Sequence, residues 1–235
     1  MRTIVVTGGI GSGKSAVCGL LREKGIPVYD ADSRTKALYH GDLLARIESA
    51  FGRSFRLAAS SSGPALSASS SGSSAPSSSG SSAPSFPGSS RESSVPAVDF
   101  AALASVAFAS DEALARLEAI VHPAVRDDFL AWRDARPDAP LVALESAIIL
   151  DKPLFDGLYD TVVLVYAPVE DCVARVLARN PGLTEDAVRR RIAAQSAGPS
   201  GALSSAFSRA DYLLINDGPL AALAPQVDAL LAALS

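Results

Sequence analysis

The most constraining feature of the sequence is a glycine-rich octapeptide near the amino terminus, residues 8–15, which reads GGIGSGKS. It fits the pattern G-x-x-x-x-G-K-[ST] in full. A β-branched run at residues 3–7 precedes it and predicts a buried strand, and a helical pattern from about 14 to 24 follows. Strand, loop and helix in this order are the context of a phosphate-binding P-loop. An ordinary glycine-rich turn is the alternative, but it leaves Lys14 and Ser15 unexplained.

Each residue type in this loop has a chemical reason. Glycines let the backbone curl until successive N–H groups point at phosphate oxygens, and the helix that follows directs its positive end to the same place. Lys14 is expected to reach the β- and γ-phosphates of a nucleotide, and the Ser15 hydroxyl is expected to be a Mg²⁺ ligand. The predicted nucleotide contacts are Gly11, Ser12, Gly13, Lys14, Ser15 and Ala16.

The rest of the chain alternates short apolar runs with longer helical patterns, which predicts a parallel sheet covered on both faces. Four further strands are expected at residues 26–29, 141–144, 161–166 and 212–215. Asp99, Ser110 and Thr184 are candidate helix N-caps, and Pro123 is placed in the first turn of a helix that runs to about Arg133. We predict one α/β domain of three layers with five parallel strands, a helical region before the third strand, and a lid at about 180–208.

One segment breaks the composition: residues 60–94 contain 19 serines, and the remainder is mostly Gly, Pro and Ala. Such a stretch buries too little apolar surface to offset its ordering entropy. We interpret residues of about 58–97 as a flexible insertion; a serine tract regulated by phosphorylation is the alternative.

Net charge is −4 and the pI is near 5.2, which argues against a nucleic-acid coat or a polybasic membrane anchor. The two cysteines, Cys18 and Cys172, have no metal or redox spacing. No apolar stretch is long enough to span a membrane, and no signal peptide is evident. We expect a cytoplasmic protein that binds a small molecule and is a monomer or a weak homo-oligomer.

A P-loop indicates nucleotide binding but leaves the reaction open. The Asn-Lys-x-Asp motif of GTPases is absent from the sequence. Acidic residues end three predicted strands, at Asp30, Glu145 and Asp217, but none follows the long apolar run typical of motor and transport ATPases. The short chain favours a small-molecule kinase.

Asp32 follows the second predicted strand in the tetrapeptide Tyr-Asp-Ala-Asp, residues 29–32. The ends of parallel strands meet at the edge that carries ligands, so Asp32 is expected near the P-loop. A kinase needs a carboxylate there to accept or orient the proton of the acceptor hydroxyl. The alternative is that Asp32 only caps the next helix.

The P-loop followed by Asp-Ala-Asp at 30–32 resembles the dephospho-coenzyme A kinase family. Further segments agree in order along the chain: Phe-Gly at 51–52, Leu-Glu-Ala-Ile-Val-His-Pro at 117–123, Glu-Ser at 145–146, Leu-Thr-Glu at 183–185, Arg-Ile-Ala-Ala-Gln at 191–195, and Ala-Asp at 210–211 before Asn-Asp-Gly at 216–218. The resemblance covers both sides of the serine-rich tract. It implies phosphorylation of the ribose 3′-hydroxyl of dephospho-CoA by ATP with Mg²⁺, giving CoA and ADP, with Asp32 as the general base.

The sequence departs from the family pattern in three places. The segment at Asp99 lacks the family's usual Arg, and Lys36 stands where an Arg is common, which keeps the charge but loses the bidentate fork. Residues 196–208 contain no cation. Two alternatives stay open. One is a P-loop kinase of another small alcohol or nucleoside, and the other, suggested by the cation-poor span and the segment at Asp99, is a nucleotide-binding regulator without transfer activity.

Several other residues have both a functional and a structural interpretation. Arg175 and Arg179 are one helical turn apart and are expected to reach the nucleotide phosphates when a lid closes; a solvated helix face is the alternative. His122 is interpreted as a cap or a contact in the acceptor pocket rather than a base. Among three arginines at 189–191, at most one is expected to face the site. Cys18 and Trp132 are interpreted as packing residues, with an adenine contact as the alternative for Trp132.

Overall fold

The computed structural model describes residues 1–57, 97–196 and 202–234. The serine-rich tract at 60–94 lies outside the described residues, as do residues 197–201 of the predicted lid. Within the described chain, no helix is long and apolar enough to cross a membrane.

Five strands form one fully parallel sheet in the order β2-β3-β1-β4-β5. The strands are β1 (Arg2–Thr7), β2 (Val28–Asp30), β3 (Leu141–Glu145), β4 (Thr161–Tyr166) and β5 (Tyr212–Ile215). All five were predicted, and the main difference is that β2 begins two residues late. Pro27 has no N–H to donate to a ladder, although its carbonyl accepts from Ala143 at 2.9 Å.

Helices cover both faces of the sheet. They are α1 (Lys14–Glu23), α2 (Ala31–Leu38), α3 (Gly41–Phe51), α4 (Phe100–Ala107), α5 (Asp111–Asp134), α6 (Val169–Arg179), α7 (Glu185–Ser196), α8 (Ala202–Arg209) and α9 (Leu223–Leu234). Short 3-10 helices at Ile149–Asp151, Pro153–Phe155 and Leu220–Ala222 complete the described elements.

The side chains of the central strand, β1, point alternately into two hydrophobic cores on the two faces of the sheet. Ile4 and Val6 of β1 face the core that contains α1 and α9, whereas Val5 faces the core that contains α3 and α5. All three side chains are fully buried. The predicted three-layer α/β architecture is therefore confirmed, with the sheet sandwiched between two helical layers.

The prediction for Pro123 is wrong. Pro123 lies in the middle of α5, which begins at Asp111 and continues without a break to Asp134. A proline inside a helix removes one hydrogen bond, but Val121, Val125 and Phe129 form a buried stripe that runs through the proline position. Packing of this stripe against the core holds the two halves in one helix.

The predicted N-caps are confirmed. The side chains of Asp99, Ser110 and Thr184 each accept a hydrogen bond from the backbone N–H group three residues further along the chain, at 2.9, 3.1 and 3.3 Å respectively. These caps satisfy N–H groups that have no partner within the helix.

Candidate active site

The carboxyl ends of β1, β2 and β3 bring three chain segments together. Glu145 at the end of β3 is in register with Val6 of β1 on one side and with Asp30 of β2 on the other. The P-loop follows β1, and the acidic segment 30–32 follows β2. The predicted phosphate loop and the predicted base therefore lie at the same edge of the sheet, as expected, but on strands that are separated by β3.

Two glycines of the P-loop are required by close contacts as well as by backbone conformation. Gly11 has φ +77°, and a Cβ there would lie 2.6 Å from the Cys172 carbonyl oxygen. Gly13 has φ +102°, and a Cβ there would lie 2.1 Å from Nδ2 of Asn216. An L side chain at either position would be strained and would displace its neighbour. The loop is therefore packed tightly against α6 and the turn after β5.

Lys14, the first residue of α1, lies over the loop. Its ammonium group donates to the carbonyls of Gly8 at 2.9 Å and Gly9 at 3.1 Å. Burial lowers the pKa of Lys14 from its usual value, and the negative charges of Glu145 and Asp32 oppose that shift. The structure therefore brings Lys14 within electrostatic range of the predicted base.

Ser15 donates a hydrogen bond from its hydroxyl to Oε1 of Glu145 at 3.0 Å. Glu145 is 9% exposed. A hydroxyl and a carboxylate oxygen side by side, next to a phosphate loop, are ligands that suit Mg²⁺, which takes one or two protein oxygens and completes its shell with phosphate and water. Among the described residues, no group of three or more His, Cys, Asp or Glu is arranged to hold a metal by itself.

Glu145 was not among the residues predicted for the site, because the apolar run before it is short. All five residues of β3, including Glu145, are nevertheless buried, and Glu145 contacts Ser15 of the P-loop. The signal was present in the sequence as an acid that ends a central strand.

The loop also presents donors that suit an anion. Lys14 and Ser15, as the first residues of α1, have N–H groups without an acceptor within the helix. The Ser12 hydroxyl is buried at 2% exposure and has no hydrogen-bond partner in the described chain. Ala16, by contrast, donates its N–H to the Gly13 carbonyl at 3.0 Å.

Three side chains from distant parts of the chain hold the loop. Asn216 Nδ2 donates to the Ser12 carbonyl at 2.8 Å, and Gln195 Oε1 accepts from the Ile10 N–H at 2.8 Å. Arg175 donates to the carbonyls of Asn216 at 2.9 Å and of Gly11 at 3.5 Å. Arg175 thus lies against the P-loop, and Gln195 brings the end of α7 to it.

The structure does not bring Arg179 to the loop. Arg179 is the last residue of α6 and is exposed, one turn beyond Arg175. In the arginine run, Arg189 forms ion pairs with Glu170 at 2.6 Å and Glu185 at 2.8 Å, so it joins α7 to α6. Arg190 and Arg191 are exposed.

Asp32 and Asp30 have separate roles. Asp30 is the N-cap of α2, and its carboxylate accepts from the N–H of Ser33 at 3.0 Å and from its hydroxyl at 2.7 Å. Asp32 stands in the first turn of α2 and lines a cavity. The alternative that Asp32 is only a helix cap is therefore wrong, because the cap is Asp30.

The cavity beside Asp32 has a volume of about 380 Å³. It lies among β2, α2, α5 and the segment after β3, which agrees with the predicted helical acceptor region. Apolar walls come from side chains such as Tyr39, Phe100, Leu117, Val121 and Phe155, and the charged residues that line it are Asp32, Lys36, Glu118 and Lys152. An apolar cleft with a few charged groups is typical of a small-molecule site.

His122 also lines this cavity, so the interpretation as an acceptor-pocket contact agrees with the structure, whereas a helix cap does not. Burial lowers the pKa of His122 from its usual value. Trp132 packs against Tyr29 and Phe129 at ring-centroid distances of 5.4 and 6.2 Å. Cys18 is fully buried in the core behind the P-loop. Both packing interpretations are confirmed.

A parallel sheet of this order, a P-loop after its central strand and a cavity at the same edge define a P-loop kinase fold. The family is shown by sequence: the profile of the dephospho-CoA kinase family matches residues 2–59 and 95–222. The chain belongs to the dephospho-CoA kinase family. The match omits residues 60–94, the span of the serine-rich tract.

Individual relatives agree with the profile. Dephospho-CoA kinase from Porphyromonas gingivalis is 33% identical over 97% of this chain and 91% of its own length, and the one from Burkholderia lata is 32% identical over 98% and 94%. A solved structure from Thermus thermophilus has a TM-score of 0.68 and 30% identity, and covers 100% of this chain and 98% of its own. The dephospho-CoA kinase structure from Campylobacter jejuni, at 19% identity and a TM-score of 0.53, covers 100% of this chain and 97% of its own and shares the fold.

Proposed function

We propose that this enzyme, an ATP-dependent kinase of the last step of CoA biosynthesis, uses Asp32 as the general base toward the ribose 3′-hydroxyl of dephospho-CoA. The hydroxyl oxygen attacks the γ-phosphorus of ATP, the bond from that phosphorus to the β,γ-bridging oxygen breaks, and the hydroxyl proton passes to the Asp32 carboxylate. The products are CoA and ADP. The observation that carries this proposal is the position of Asp32 in the acceptor cavity, with the helix-capping role held by Asp30.

The nucleotide phosphates are proposed to bind the loop 11–16. The N–H groups of Lys14 and Ser15, the unpartnered Ser12 hydroxyl and the Lys14 ammonium supply the donors. Arg175, which donates a hydrogen bond to the Gly11 carbonyl of the loop, adds a cation there. Arg179 is proposed to join only when the lid moves, since it is exposed here.

Mg²⁺ is proposed to be held by Ser15 and Glu145. When bound, the ion neutralises charge on the β- and γ-phosphates. The chain's own contribution is to orient the two oxygen ligands by their hydrogen bond and by the burial of Glu145.

Cysteine content and net charge bear on where the protein works and what it binds. Both cysteines, Cys18 and Cys172, are free and buried, which supports the proposal of a reducing, cytoplasmic location. The acidic net charge supports the proposal that nucleic acid is not a partner. A monomer or weak homo-oligomer stays a prediction.

The test of the reaction is product identity. The enzyme is incubated with Mg²⁺-ATP and dephospho-CoA, ADP is followed, and the acceptor product is examined by ³¹P NMR for a new ribose 3′-phosphomonoester. We expect ADP only in the presence of acceptor, and loss of turnover in Lys14→Ala. Turnover with a sugar or another nucleoside but not with dephospho-CoA would assign another kinase. ATP binding without turnover on any acceptor would indicate a regulator.

A further inference from the structure

The acceptor cavity contains an ion pair that the proposed chemistry does not use. Lys152 Nζ lies 2.8 Å from each carboxylate oxygen of Glu118. The two side chains are only 25% and 30% exposed, and both line the cavity that contains Asp32. Glu118 comes from α5, and Lys152 follows the 3-10 helix Ile149–Asp151 after β3.

An ion pair in a mostly apolar cavity is not an efficient way to stabilise a wall. Removing two charges from water carries a penalty that their attraction repays only with good geometry and further hydrogen bonds. Within the described part of the chain, the side chains of Glu118 and Lys152 make no hydrogen bond other than those to each other. The pair is therefore a candidate for a role in binding.

The acceptor supplies a reason for a cation at this place. In dephospho-CoA the ribose that carries the reacting 3′-hydroxyl also carries a diphosphate on its 5′-oxygen. Only a few covalent bonds of the ribose separate the 3′-oxygen from the diphosphate. When the 3′-hydroxyl contacts Asp32, the diphosphate is therefore held in or beside the same cavity. Its negative charge requires cationic partners, and the lysines that line the cavity are Lys36 on α2 and Lys152 on the segment after β3.

We infer that Lys152 binds the acceptor diphosphate and that Glu118 holds Lys152 in place until the acceptor arrives. This inference rests on the proposed function. Binding exchanges one anionic partner of the ammonium for another: the diphosphate takes the position of the Glu118 carboxylate. Lysine suits this exchange because its ammonium is a point charge on a flexible stem and can turn from one anion to the other.

The alternative is a brace, in which the pair only ties the segment after β3 to α5. The two roles predict different signs for the two partners. In a brace, loss of either charge weakens the same contact, so both variants change the enzyme in the same direction. In the exchange, Lys152 attracts the acceptor and Glu118 competes with it, so the two variants change acceptor affinity in opposite directions.

The experiment compares Lys152→Met, Glu118→Gln and Lys152→Arg in the full chain, with KM for dephospho-CoA, KM for ATP, kcat and melting temperature measured for each. We expect Lys152→Met to raise the KM for dephospho-CoA about tenfold or more, as for loss of a hydrogen bond to a charged group. We expect Glu118→Gln to lower the KM for dephospho-CoA a few-fold. Lys152→Arg keeps the positive charge and is expected to raise this KM much less than Lys152→Met does. The KM for ATP is expected to stay unchanged in all three variants.

A rise in the KM for dephospho-CoA in both Lys152→Met and Glu118→Gln, with lower melting temperatures, would overturn the exchange in favour of the brace. An unchanged KM in Lys152→Met would overturn it outright. Wild-type turnover on dephospho-CoA distinguishes failure of the proposed function from failure of this inference. If wild-type turnover is absent, the proposed function fails. If it is present while Lys152→Met behaves as wild type, only this inference fails.

Discussion

At the residue scale, function depends on which of two nearby carboxylates is already engaged. Both carboxylate oxygens of Asp30 accept hydrogen bonds from Ser33 at the start of α2. Asp32, two residues later, has no hydrogen-bond partner among the described residues and lines the acceptor cavity. A carboxylate without a structural partner is available to accept a proton, which is why we propose Asp32 as the base.

A second residue-scale prediction concerns Glu145. In Glu145→Gln the amide oxygen can still accept from Ser15, so the fold is kept, but the negative charge that attracts Mg²⁺ is lost. We expect kcat/KM at fixed Mg²⁺ to fall about 10–100-fold and the Mg²⁺ concentration for half-maximal rate to rise. A Mg²⁺ titration of initial rate measures both.

The matched control is Glu112→Gln, which makes the same change at an exposed ion pair with Arg116 on α5. It is expected to leave the Mg²⁺ titration unchanged. If Glu145→Gln shows the wild-type Mg²⁺ dependence, the assignment of Glu145 as a ligand is wrong.

The residues predicted from sequence and those missed differ in how far apart their partners are. The loop 8–15 is local, so its pattern alone indicated the phosphate site. Asn216, Gln195 and Glu145 contact the loop across 204, 185 and 130 positions of chain. No local pattern records such contacts, and they become visible only when the sheet order is known.

At the element scale, strands were predicted well because buried parallel strands are short continuous apolar runs. The error at Pro123 came from treating a proline as a boundary when a buried stripe at four-residue spacing continues past it. Tertiary packing decided the length of α5, and that packing involves α3 and α4, which lie outside any local window.

The P-loop as an element makes a prediction that separates backbone strain from crowding. Gly11 and Gly25 have nearly the same φ, +77° and +79°, but a Cβ at Gly11 would lie 2.6 Å from a carbonyl, whereas nothing lies within 4 Å of one at Gly25. We expect Gly25→Ala to destabilise the fold by about 1–2 kcal/mol and to leave ATP binding intact. Gly11→Ala is expected to weaken ATP binding strongly as well.

Isothermal titration with ATP and thermal unfolding of both variants check this prediction. Equal ATP affinity in the two would mean that the contact between Gly11 and Cys172 does not shape the phosphate site.

At the scale of the whole molecule, the described residues that flank the serine-rich tract are held together by backbone hydrogen bonds. Arg56 and Val98 form an antiparallel bridge, the Leu57 N–H donates to the Ala97 carbonyl at 2.7 Å, and the Asp99 N–H donates to the Phe55 carbonyl at 2.7 Å. Residues 57 and 97 therefore lie side by side, and a short connection can join them.

We predict that replacing residues 60–94 by a Gly-Ser turn leaves the enzyme folded and active. Closure entropy changes slowly with loop length, so the free energy of unfolding is expected to change by about 1 kcal/mol or less. Thermal unfolding and kcat/KM for dephospho-CoA measure the outcome. A large drop in melting temperature would show that the tract contributes to the fold.

The measurement that tests the central claim most directly is dephospho-CoA-dependent ADP release by wild type, Asp32→Asn and Asp30→Asn at saturating Mg²⁺-ATP. Asn is also a good N-cap, so Asp30→Asn is a matched substitution that keeps α2 intact. We predict that Asp32→Asn loses about 10²–10⁴-fold in kcat with ATP binding retained, and that Asp30→Asn stays close to wild type. Turnover of Asp32→Asn at the wild-type rate would contradict the assignment of the base.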